Sequence, residues 1–83
     1  MPRHNPYLKK AILEVVHNQL RLGDPPQTKQ TFGRLVAAGH SKDEAERLIG
    51  CVLNCEMMEM LRDQRVFDLE KFAKGLARLP TLP

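Results

Sequence analysis

Only two cysteines, Cys51 and Cys55, occur among the 83 residues of the chain. They lie four apart in what reads as a helix interior, where the side chains do not easily reach bridging geometry, so no disulfide framework is expected. Both read as small apolar residues of a chain kept in a reducing compartment. No apolar run approaches the roughly 18 residues that a membrane-spanning helix needs, and the start lacks the basic-then-apolar pattern of a signal peptide. These absences make the cytoplasm the expected location. A strong excess of one charge sign is missing too: 13 basic against 10 acidic residues leave a formal net charge of +3. The two signs are interspersed, as on a mixed solvated surface, and do not form the concentrated basic patch of a dedicated nucleic-acid binder. The one basic cluster is Arg3, His4, Lys9 and Lys10, at the N-terminal end.

Chemical motifs are equally sparse. His4, His17 and His40 have no metal-ligand spacing with one another or with a cysteine. No Gly-flanked Ser is present, and no segment places Cys beside His, so no nucleophile stands out. Gly33, Gly39 and Gly50 form no phosphate-cradling pattern. The expectation is a chain with no catalytic residues, no cofactor and no bound metal.

Clear helix punctuation is what the sequence does contain. Asn5 caps a helix whose first residue is Pro6, and Leu8, Ala11, Ile12, Val15, Gln19 and Leu22 recur at helical spacing up to Gly23. Asp24 followed by Pro25 and Pro26 repeats the start signal, Phe32, Leu35 and Val36 form the next stripe, and Gly39 stops it. Ser41 and Glu44 have the spacing of a capping box, in which the hydroxyl accepts from the third N–H and the carboxylate reaches back. Asp43 and Glu44 suit the positive end of that helix. Gly50 inside it costs about 1 kcal/mol relative to Ala, which marks close approach of a neighbouring helix. Asp68 caps a last helix with Leu69, Phe72, Ala73 and Leu76 on one face, and the tail from Leu79 to Pro83 cannot continue it. The reading is an all-α, compact four-helix domain, with helices at about 6–22, 25–38, 42–64 and 68–78 and a long third helix. Residues 1–5 form an arm, 6–79 the single domain and 80–83 a tail.

Two places in this pattern call for a function. Glu56 falls near the centre of the inward face that Ala45, Ile49 and Val52 define, and Gln19 sits likewise on the first helix. A buried carboxylate must be paired, hydrogen-bonded or protonated. The two residues form a polar core pair that could hold a small ligand or metal, or they simply bond each other or face solvent where the bundle opens. Met57, Met58, Met60 and Leu61 make the end of the third helix apolar on every side, more than four short helices can wrap. That segment reads as an interaction surface, with a homodimer or an unidentified protein partner as occupant, unless the fourth helix covers it through Phe67 and Phe72. The leading expectation is therefore a non-enzymatic interaction or self-association module.

A third place is residues 31–48, whose short helix, Gly39 turn and capped second helix have the rhythm of a helix-turn-helix. Nucleic-acid contact there would fall to Lys42 and Arg47. The same helix start carries Asp43, Glu44 and Glu46, which repel phosphate. This rhythm also resembles that of ubiquitin-associated three-helix domains. Across residues 5–79, the arrangement of Asn5-Pro6, Gly23-Asp24-Pro25-Pro26, Leu35, Gly39, Asp43-Glu44-Ala45 and Phe67-Asp68 resembles a group of short bacterial all-helical domains of unknown function. That resemblance implies a bacterial cytoplasmic origin and the same fold, and it brings no activity. The chains of the group it resembles often carry a His close after the Ala, where this one has Arg47, a departure that weakens a metal reading.

Overall fold

The computed structural model describes residues 6–82. Four α-helices follow one another: α1 Pro6–Leu22, α2 Pro26–Ala37, α3 Lys42–Asp63 and α4 Leu69–Arg78. No strand occurs among the described residues. The long third helix is the centre of the bundle and packs against each of the other three. Asn5, Arg3 and His4, named above as cap and basic cluster, lie outside the described residues.

The helix ends follow local chemistry, with two corrections. Gly39 takes φ 106°, and the turn after α2 closes as a Schellman motif: the His40 N–H donates to the Leu35 carbonyl at 3.1 Å and the Gly39 N–H to Val36 at 3.0 Å. The Ser41 hydroxyl accepts from the Glu44 N–H at 3.0 Å, and Asp68 accepts from the Lys71 N–H at 3.1 Å. The Ser41–Glu44 capping box is only half made, because the Glu44 carboxylate turns to the Arg47 guanidinium at 2.7 and 2.9 Å. A charged donor one turn along outcompetes the distant backbone N–H. Asp24 does not cap α2. Pro25 occupies the cap position with no side-chain bond, and helix α2 starts at Pro26, where the missing N–H costs nothing.

Burial concentrates on the sides of α3 that carry Ala45, Leu48, Ile49, Val52 and Leu53. Ile12 and Val16 from α1, Leu35 from α2, and Phe72 and Leu76 from α4 meet them there. Leu79, beyond the end of α4, is buried in the same core. Its position is held by Arg34 of α2, whose guanidinium donates to the carbonyls of Leu79 at 2.9 Å and Leu76 at 3.0 Å. The Leu76 carbonyl also accepts from the Leu79 N–H at 3.1 Å, so the guanidinium adds a second, charged donor where the intrahelical ladder runs out.

Two glycines set how closely helices cross. A Cβ on Gly50 would lie 3.2 Å from Ile12 Cγ2, so Gly50 does mark the approach of α1. A Cβ on Gly75 would lie 2.7 Å from Val52 Cγ1, closer than carbon atoms tolerate, so α4 touches α3 there only through a bare backbone. Helix α1 runs antiparallel to α3, since Ile12 and Leu13 lie by Gly50 while His17 bonds Glu46.

Candidate functional site

Glu56 is 4% exposed, as its place on the inward face of α3 requires. It does not meet Gln19. Its two oxygens accept from the Arg65 guanidinium at 2.7 and 2.9 Å, and one also accepts from the Asp68 N–H at 2.8 Å. Arg65 reaches on to Glu59 at 3.2 Å, and Lys71 completes the cluster from α4 at 3.3 Å. The Arg65 hydrogen bonds hold the Glu56 carboxyl below the usual carboxylate range, against the opposing effect of burial, and the Asp68 N–H adds to them. Glu56 thus ties the α3–α4 connection back onto α3, beside a small hollow of about 200 Å³. Gln19 serves a separate tie: its side-chain oxygen accepts from the buried Thr28 hydroxyl at 2.8 Å and joins α1 to the start of α2.

The Met-rich end of α3 divides by direction. Met57 packs against the core and Met60 is half-buried, while Met58 and Leu61 are 52% and 76% exposed. Phe67 and Phe72 contact each other, ring centroids 5.4 Å apart, and α4 covers the opposite side of α3. At about 100° per residue, Arg47, Cys51, Asn54, Met58 and Leu61 share a sector of about 80° on the outward face of α3. Their spacing alternates four and three residues, as in the seam of an antiparallel or parallel helix pair. We call the C-terminal part of this face, Cys51 to Leu61, the ridge.

Beside its N-terminal part runs an open cleft of about 660 Å³ between α1 and α3. Ile12, Leu13 and Gly50 form its apolar floor, and the absence of a side chain at Gly50 deepens it. Lys9 and Asp43 stand at opposite ends of its rim, and neither makes an ion pair among the described residues. Cys51 and Asn54 belong to both ridge and cleft.

Other residues singled out by sequence are placed as follows. Helices α2 and α3 do form the corner spanning 31–48, with Lys42 and Arg47 at the start of α3; Arg47 is engaged by Glu44. His17 is exposed and bonds Glu46 at 2.7 Å. Both cysteines are free; Cys51 is half-buried, but Cys55 is exposed and not part of the packing expected of it. Its thiol is nevertheless pushed up, first by partial desolvation and then by neighbouring Cys51 and Glu59. Among the described residues no three of His, Cys, Asp and Glu are grouped to hold a metal ion, and no helix is long and apolar enough to cross a membrane. The ridge–cleft pairing was not visible in sequence, although the alternating spacing from Arg47 to Leu61 could have located the ridge. Comparison with protein-family models, with curated proteins and with solved structures finds no match.

Proposed function

We propose that the protein is a protein-interaction module that docks through the outward face of α3 and the adjoining cleft. The carrying observation is the exposure of Met58 and Leu61 in line with that cleft. Large apolar side chains on a contiguous strip of a small domain mark a binding surface more often than a solvated one. The cleft has the form that receives an amphipathic helix: an apolar floor, an open length along two helices, and charged rims. Methionine adds adaptability, since its unbranched thioether repacks against different partners at little cost. Glu56 and Thr28, two polar residues buried away from this face, are bonded within the chain.

The test is a photo-cross-linking amino acid placed at position 58, compared with one at exposed Lys29 on α2. In living cells position 58 is expected to give a discrete protein adduct, formed with another protein or with a further copy of the chain, that position 29 lacks. Equal or absent adducts at the two positions would contradict the reading.

A further inference from the structure

We propose that the occupant of this face is a second copy of the chain, with α3 of one copy lying antiparallel across α3 of the other about a two-fold axis. The inference rests on the docking reading above and adds the identity and register of the partner.

The face is complementary to itself. The cleft runs along the N-terminal half of α3, from Asp43 to Asn54, and the ridge along the C-terminal half, from Cys51 to Leu61. An antiparallel copy therefore brings the ridge of each α3 onto the cleft of the other, and does so twice. Such an isologous contact is the commonest closed arrangement of identical chains.

Three features of α3 are consistent with one register. Helix α3 spans Lys42–Asp63, so full antiparallel overlap centres the axis between Val52 and Leu53. The middle of the cleft and the middle of the ridge lie on opposite sides of that point, each about four residues from it. The alternating seam also fits it: Cys51 falls against the partner's Asn54, and Arg47 against the partner's Met58. These are the cross-seam layers of an antiparallel helix pair, and the aliphatic stem of Arg47 covers the methionine.

Charge agrees with this direction. Asp43, which makes no ion pair among the described residues, falls level with the partner's Arg62, a cation that Asp63 of its own copy also holds at 2.9 Å, and the antiparallel arrangement sets the positive end of each α3 beside the negative end of the other. The available area is also sufficient. A strip about 33 Å long and two helices, or about 20 Å, wide is about 660 Å² per copy, close to the roughly 800 Å² per partner of a standard stable interface.

The experiment is chemical cross-linking in a chain whose own cysteines are replaced, Cys51→Ser with Cys55→Ser. Asp43→Cys and Arg62→Cys are made separately in that background, then mixed and treated with a short bismaleimide. In the proposed register positions 43 and 62 of different copies are level, whereas two copies of position 43 are about 28 Å apart, as are two of position 62. The mixture is expected to yield covalent dimer at least tenfold above either variant alone. The unaltered chain supplies a check free of the serine background, because Cys51 lies beside the axis and the same reagent is expected to link it to its copy. Dimer formed equally by one variant alone, or no dimer in either experiment, overturns the proposal. If position 58 still captures a different protein, the docking face stands and only its occupant changes.

Discussion

Glu56 of α3 and Arg65 of the following connection form a two-pronged ion pair, at 2.7 and 2.9 Å, with the carboxylate almost wholly buried. The pair closes the turn between α3 and α4 and presents the Asp68 N–H with an acceptor at the point where α4 begins. A group whose carboxyl is held below its unfolded range contributes stability above the unfolded pKa, near 4.3, and loses it as pH falls through the folded value.

Glu56→Gln should therefore destabilise the protein at neutral pH by about 2 kcal/mol, since the amide leaves the partly buried Asp68 N–H and Arg65 without their charged acceptor. The gap between variant and wild type should narrow as pH falls below the unfolded value, near 4.3, because the unfolded carboxyl takes up a proton that the folded one resists, and it should close only as pH passes the lower folded value. Urea unfolding at neutral pH and at pH about 3.5 checks this. A gap that is unchanged at low pH would assign the loss to packing instead of charge.

Two glycines inside helices should respond to alanine in opposite directions. Gly33 has nothing within 4 Å of a Cβ, so Gly33→Ala should stabilise by up to about 1 kcal/mol through helix propensity. Gly75→Ala drives a methyl into Val52, whose branched side chain cannot swing away, and should destabilise by about 1–2 kcal/mol in spite of the same gain in propensity. Thermal unfolding should move by several degrees, upward for the first and downward for the second.

Gln64 ends α3 in the left-handed region, at φ 51°, with the next N–H donating back to the Met60 carbonyl at 3.1 Å. A side chain there costs about 1 kcal/mol that glycine does not. Gln64→Gly should raise the unfolding midpoint, partly offset by the greater freedom of glycine in the unfolded chain. Gln64→Val should lower it. Denaturant titration of the two variants side by side is the check.

The elements with local chemistry were legible in the sequence. Gly39, Ser41 and Asp68 act on N–H and C=O groups within a few residues, and so did the stop at Gly23, where the Gly23 N–H returns to the Gln19 carbonyl at 2.8 Å. The inward place of Glu56 followed from helical periodicity alone. Its partner did not: Arg65 lies beyond the helix, and nothing local says which way that turn folds. Arg34 is the clearest case of a hidden role. It reads as one more surface cation on α2, yet it holds the carbonyls at the end of α4, more than forty residues away in sequence. Gly75 was silent for the same reason, since only the packed pair of helices reveals what a Cβ would strike. For the candidate surface, sequence marked the apolar excess from Met57 to Leu61 but not its division into core-facing Met57 and outward Met58 and Leu61.

The central claim is that the outward face of α3 associates, with a second copy as its partner. Sedimentation equilibrium over a micromolar concentration series tests it most directly. The wild-type chain should shift from the 9.5 kDa monomer toward twice that mass. Met58→Lys should raise the dissociation constant at least about tenfold while its thermal unfolding stays intact, because position 58 is exposed within one copy and a lysine there would face the partner's Arg47. A wild-type chain that remains at 9.5 kDa throughout, or a Met58→Lys variant that pairs as well as the wild type, would contradict the account.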